Sequence, residues 1–191
     1  MDKSEIRKIF KKKRDDLSLD YVSTHSDLIA KNFSKNFPNI SNQKLAFYLS
    51  VGNEVNPKFI IKDLREGSNI IALPKIKINE KILSFKEYKD GDELEKNVFY
   101  PKLLEPNLSN IDVIPDIIFV PLVACDMECN RVGMGGGFYD ATIGNFRINN
   151  KKIKFIGLAY DMQICEKINN DEWDQKLDFI VSETKIFFCR Q

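Results

Sequence analysis

The stretch IIFVPLVACDMECNRVGMGGGFYD, Ile117 to Asp140, governs how this 191-residue chain is read. Its first part, Ile117 to Ala124, is an apolar run of the kind a buried parallel strand requires. Four glycines within positions 133–137 then bring backbone N–H groups up to a ligand with no Cβ in the way. From Tyr139 to Ile148 no proline interrupts a helix. Strand, loop, glycine turn and helix is the order in which open α/β sheets build anion sites at their carboxyl edge. The segment predicts an α/β fold with a phosphate cradle, although an ordinary tight turn shares the same glycines. No Gly-Lys-Ser/Thr follows the loop and no dinucleotide fingerprint opens the chain, so two common nucleotide motifs are excluded.

Working outward, Ile6, Ile9, Phe10 and Leu17 recur at helical spacing from Lys3 to about Leu17. Lys3, Arg7 and Arg14 fall along one border of that stripe, as a solvated face or as charged heads reaching a cleft. A second helix is predicted over Leu19 to Phe37, ending before Pro38. Leu45 to Val51 reads as a strand, and Asn56-Pro57 opens a helix that runs through Leu64, with Gly67 past its end. Further strands are predicted at Asn69 to Leu73, Ile82 to Lys86, Ile117 to Ala124, Lys154 to Tyr160 and Leu177 to Ser182. Helices are predicted near Asp140 to Ile148 and Gln163 to Asn169, and Asp90 to Ile114 reads as an irregular flap. This alternation gives one domain over residues 1–191, with a mixed, mostly parallel sheet flanked by helices.

Composition narrows the function classes. Lys and Arg number 29 against 28 Asp and Glu, so a net charge of +1 gives no global field for nucleic acid or an anionic membrane. The opening Met-Asp-Lys-Ser-Glu lacks an export core, and the longest apolar stretch is broken by Pro121, too short to span a bilayer. A soluble, cytoplasmic monomer is expected. Cys125, Cys129, Cys165 and Cys189 form no paired metal framework and are expected to be small buried hydrophobes. The single histidine, His25, argues against Ser-His-Asp and Cys-His chemistry and is expected at the surface.

With these pieces placed, the chain resembles the 5-formyltetrahydrofolate cyclo-ligase (methenyltetrahydrofolate synthetase) family over nearly its whole length. The matching pieces come in family order: Lys3 and Arg7 in the opening helix, Glu54 before Val55, Leu73-Pro74-Lys75, and Glu105-Pro106. Val120 to Asp126 then leads into Arg131 to Asp140, followed by Gln163, Asp174 and Asp178. Departures are Cys129 for a glycine, where positive φ burdens a side chain, Phe138 for a tyrosine, Ala141 for an arginine, and Asn169 and Trp173 for a proline and a histidine.

The resemblance implies a sheet like that of phosphosugar isomerases and CoA transferases (NagB/RpiA type). It implies ATP- and Mg²⁺-dependent closure of 5-formyltetrahydrofolate, with or without a polyglutamate tail, to 5,10-methenyltetrahydrofolate, with ADP and phosphate released. ATP would lie against Lys3, Ser4, Arg7, Arg131, Gly133, Met134, Gly135, Gly136, Gly137, Phe138, Tyr139 and Asp140. Folate would lie against Leu49, Glu54, Gly135, Gly136, Gly137 and Tyr139. Asp140 and Asp174 would hold Mg²⁺, and Tyr139 and Arg131 would act on the reacting groups. An isomerase or transferase without nucleotide, and a nucleic-acid contact through the basic helix, are the competing readings.

Overall fold

The structure, a computed structural model, describes residues 1–149 and 152–189. Helix α1 (Lys3–Asp15) is opened by a reciprocal cap. The Asp2 carboxylate accepts from the Glu5 amide at 2.8 Å, and Glu5 accepts from the Asp2 amide at 3.2 Å. After it come α2 (Leu19–Asn36), β1 (Lys44–Ala46), α3 (Lys58–Arg65), β2 (Ile70–Lys75) and β3 (Ser84–Glu87). A ribbon of β4 (Leu94–Lys96) and β5 (Leu104–Pro106) precedes β6 (Ile117–Val120), β7 (Ala124–Cys125) and β8 (Arg131–Val132). Then come α4 (Phe138–Asn149), β9 (Lys154–Leu158), a single 3₁₀ turn at Asp161–Gln163, β10 (Phe179–Val181) and β11 (Ile186–Phe188).

Seven strands form one sheet in the order β11-β10-β9-β6-β1-β2-β3, parallel at its centre and antiparallel at both edges. Side chains alternate between its faces, as the strand repeat requires. Leu45, Ile71, Leu73 and Phe119 meet Ile29 and Phe33 of α2 and Ile60 and Leu64 of α3. Phe47 stacks on Phe119 with ring centres 4.1 Å apart. Ala46, Ala72, Ile118, Val120 and Phe155 belong to the opposite face, with Ile143 of α4. Both faces of the central strands are covered, which is why they read as unbroken apolar runs rather than alternating ones.

The chain leaves β1 through α3 toward β2 on one side, and leaves β6 through α4 toward β9 on the other. Adjacent strands whose connections diverge open a crevice at their carboxyl ends, the usual place for a ligand in such sheets. α1 lies apart from the sheet. Its Ile6 and Phe10 pack with Val123, Ala124, Val132 and Ile168, which carries the helix start onto the glycine loop beyond β8.

Several expectations are corrected. The run Ile117 to Ala124 is two strands, because Pro121 has no N–H and the chain turns there into the β7–β8 ribbon. The predicted strand Leu45 to Val51 ends at Ala46. No helix covers Gln163 to Asn169. Amides that would feed one bond elsewhere, Cys165 to the Cys125 carbonyl at 2.7 Å and Ile168 to Asp126 at 2.9 Å. The flap between Asp90 and Ile114 holds the β4–β5 ribbon. Cys129 and Cys189 are disulfide-bonded across a separation of 60 residues, whereas Cys125 is free and buried and Cys165 is free and half-buried. His25 is half-buried, stacked on Tyr21 at 3.6 Å with Nδ1 2.8 Å from Glu183. Among the described residues no helix is long and apolar enough to cross a membrane.

Candidate active site

Two peptide planes of the glycine loop are held from outside. Arg7 Nε donates to the Gly133 carbonyl at 2.8 Å, and Lys81 Nζ donates to the Gly136 carbonyl at 2.9 Å. In a trans peptide the carbonyl and the next N–H point in opposite directions, so the amides of Met134 and Gly137 are turned away from these cations. Among the described residues, no amide from Gly133 to Gly137 donates to a protein acceptor. Gly135 and Gly137 have φ of +93° and +73°, where an L side chain is strained. Met134, Gly135, Gly136 and Gly137 are exposed and Gly133 half-buried, so the row of donors faces an open site.

Cations and carboxylates alternate around this loop. Arg131 Nη2 donates to Asp140 Oδ1 at 2.9 Å, and its Nη1 donates to the Gln175 carbonyl at 2.5 Å. The Gln175 amide also donates to Asp140 Oδ1, at 3.1 Å. This places the C-terminal segment beside the start of α4. Lys3 pairs with Asp174 and, at 2.7 Å, with Asp171. Burial opposes the Lys3 charge, but the bonds to Asp171 and Asp174 outweigh it and hold its pKa above the ordinary lysine range. Burial lowers the Arg131 pKa against the pull of Asp140. An isolated guanidinium in this place would be costly, so the pair is mutually required.

Asp140 Oδ1 and Asp174 Oδ2 carry these bonds, while Asp140 Oδ2 and Asp174 Oδ1 accept none from described residues. Carboxylate oxygens left without hydrogen bonds are the hard donors that Mg²⁺ takes, with water and phosphate oxygens completing most of its shell. Among the described residues no three His, Cys, Asp or Glu side chains converge as a self-sufficient metal cage.

On the β1 side, buried Glu54 receives the Val51 amide on Oε2 at 3.0 Å and Arg14 Nη1 on Oε1 at 3.3 Å. Burial raises its pKa, opposed by Val51 and Arg14. Tyr139 interacts electrostatically with both Glu54 and Arg131, and burial pushes its phenol up. Tyr139 therefore stands between the acidic pocket after β1 and the ion pairs at the loop. Phe138 meets Tyr100 edge-on at 5.8 Å, with the Lys81 ammonium 4.7 Å from its ring centre. Leu49 packs against the core beneath Glu54's loop, and Ser4 is exposed on α1, its hydroxyl without a described partner.

The structure thus links Lys3, Asp174, Asp140 and Arg131 through ion pairs and the Gln175 backbone, joins Arg7 to Gly133, and connects Glu54 to the loop through Arg14 and Met134, with Tyr139 following the last glycine and Phe138. Lys81 and Gln175 were not singled out from sequence. Lys81 lies in a turn between two strands, and Gln175 acts through its backbone, so neither carries a residue-type signal. Gln163 and Asp178, part of the family pattern, serve the frame: Gln163 Nε2 donates to the Val123 carbonyl at 2.9 Å, and Asp178 accepts from the Phe155 amide at 2.7 Å.

Comparison with known proteins agrees with this geometry. The sequence model described as "5-formyltetrahydrofolate cyclo-ligase family" matches residues 1–183. A 5-formyltetrahydrofolate cyclo-ligase of Haemophilus influenzae is 36% identical over 140 residues, covering 71% of this chain and 73% of that protein. One from Escherichia coli K12 is 34% identical over 155 residues, covering 78% and 83%. The solved Aquifex aeolicus 5,10-methenyltetrahydrofolate synthetase superposes with a TM-score of 0.79 at 28% identity, covering 100% of this chain and 94% of that one. The motif order in the sequence, the crevice between β1 and β6 and these matches all point the same way: the chain is an enzyme of the 5-formyltetrahydrofolate cyclo-ligase family.

Proposed function

We propose that this enzyme converts 5-formyltetrahydrofolate to 5,10-methenyltetrahydrofolate with the use of MgATP. The observation that carries this reading is the single contact chain from Lys3 through Asp174, Gln175, Asp140 and Arg131 to the bare amides of the glycine loop. Such a surface neutralises a polyphosphate on one side and offers carboxylate oxygens on the other. The acidic pocket at Glu54 and the Tyr139 ring adjoin it, suited to the N–H donors and flat face of a reduced pterin.

A formyl oxygen on nitrogen is a poor leaving group. Transfer of the terminal phosphoryl group of ATP to that oxygen gives ADP and an activated carbon. N10 attacks that carbon, its proton passes to solvent or to the departing phosphate, and the carbon–oxygen bond breaks to release phosphate. Lys3, Arg7 and Arg131 bind and orient the phosphate chain, and the loop amides receive its oxygens. Asp140 and Asp174 would hold Mg²⁺, which supplies charge neutralisation at the transferring group. Glu54 fixes the pterin edge, and Tyr139 lies beside the formyl group. No protein base is required, because N10 is already nucleophilic toward the activated carbon. The enzyme acts as a single domain, as a monomer and in the cytoplasm.

The test is incubation of purified protein with 5-formyltetrahydrofolate, with and without MgATP, following methenyl product by absorbance and ADP by a coupled assay. Product and ADP should appear one for one, and EDTA should stop both. Product formation indifferent to ATP would overturn the reading.

A further inference from the structure

Lys3, Arg7 and Arg14 share one face of α1, yet the fold sends them to three different places. Lys3 goes to Asp171 and Asp174, and Arg7 to the Gly133 carbonyl. Arg14 turns inward, with its side chain 4% exposed. Its Nη1 donates to Glu54 Oε1 and to the Leu122 carbonyl, both at 3.3 Å, and its Nη2 approaches the Met134 sulfur at 3.9 Å. Its Nε has no partner among the described residues. One buried guanidinium thus touches the loop after β1, the turn after β6 and the glycine loop, with long bonds and donor capacity to spare.

We propose that Arg14 is a positioning residue for the folate: it aims the Glu54 carboxylate at the reduced pterin and takes no part in gripping the triphosphate. This rests on the reading of Glu54 as a pterin contact. Glu54 Oε2 is fixed by the Val51 amide, so the direction of the carboxylate depends on what holds Oε1, and Arg14 holds it. The two carboxylates of the phosphate side, Asp140 and Asp174, are bonded to Arg131 and Lys3 instead. The charged and titratable groups facing Glu54 are Arg14 from α1, Tyr48 after β1 and Tyr139 from α4. Arg14 is the cation that opposes the upward push of burial on Glu54, so its removal sends the Glu54 pKa higher still.

The experiment compares Arg14→Met, Arg14→Lys, Glu54→Gln and the Arg14→Met/Glu54→Gln double variant. KM for folate, KM for ATP and the pH profile of kcat/KM for folate are measured on each. Arg14→Met should raise the folate KM at least tenfold and the ATP KM less than twofold. Its acid limb should move to higher pH, and the double variant should be no worse than Glu54→Gln alone. Equal rises in both KM values, an unmoved acid limb or additive losses would overturn the proposal. If Arg14→Met does not fold, Arg14→Lys decides. It keeps a cation but loses the planar fork, so a folate KM at least threefold higher with the ATP KM unchanged supports the assignment, and an unchanged folate KM removes it. ATP-dependent turnover by the unaltered enzyme separately tests the proposed function.

Discussion

Arg131 Nη2 lies 2.9 Å from Asp140 Oδ1, so an ion pair ties together the entry and exit of the glycine loop. The same carboxylate oxygen receives the Gln175 amide at 3.1 Å, which leaves Oδ2 without a hydrogen bond from the described residues; on the proposed reading that oxygen would take Mg²⁺. Asp140→Asn keeps the shape and an acceptor for Arg131 but removes the charge. We expect kcat to fall at least about 100-fold and stability to fall by about 3 kcal/mol, because the buried Arg131 charge loses its counter-ion, read by steady-state kinetics and urea titration. Retained turnover would refute Asp140 as a metal ligand.

From α1, Arg7 reaches the glycine loop, 3.7 Å from where a Gly135 Cβ would stand, and Lys3 reaches Asp171 and Asp174 of the C-terminal segment. The double variant Lys3→Ala/Arg7→Ala should raise the ATP KM about tenfold or more, a loss of about 1.4 kcal/mol or more of binding, with the folate KM nearly unaltered. Equal rises in the two constants would argue against a phosphate clamp.

Gly137 has φ of +73° and open space around its Cα, so a Cβ there strains the backbone without a clash. Gly137→Ala should cost about 1–2 kcal/mol of stability and weaken ATP binding, because the strained amide turns out of the donor row. Gly133 also has open space and no positive φ. Gly133→Ala serves as the control and should be neutral or slightly stabilising. Similar losses from both would show that strain is not what places glycine at 137.

Cys129 occupies the left-handed region at φ +60° and is bonded to Cys189, which follows β11. Closing a loop of 60 residues should contribute about 2–4 kcal/mol by restricting the unfolded chain. Dithiothreitol or Cys189→Ser should lower the urea midpoint accordingly. Cys129→Gly loses the same bond but recovers about 1 kcal/mol of backbone strain, so it should lie above Cys189→Ser. A midpoint insensitive to reduction would show that the bond does not form.

Much of the candidate site was legible because its residues sit in one unbroken segment. Arg131, the glycines, Tyr139 and Asp140 are fixed by their order alone, since a glycine turn between a buried strand and a helix has few ways to fold. Glu54 and Asp174 could be named only through the family pattern, and helical spacing marked Lys3 without deciding between a cleft and a solvated face. Judged singly they are a surface carboxylate, a cap and a solvated lysine, because residue type carries no information about distant neighbours. The predicted helix over Gln163 to Asn169 failed for the same reason. Its amides are taken by Cys125 and Asp126, about 40 residues upstream, and no local propensity registers such partners.

The sequence by itself determined the alternation of strands and helices, the covered faces of the central sheet and the position of the glycine loop, because apolar periodicity and glycine content are local properties of the chain. Tertiary structure alone decided which cation meets which carboxylate. Lys3, Arg7 and Arg14 are equivalent on a helical wheel, yet the placement of α1 on the β7–β8 ribbon gives them three different partners. Charge pairing depends on separation through space, and only the packed chain sets that separation.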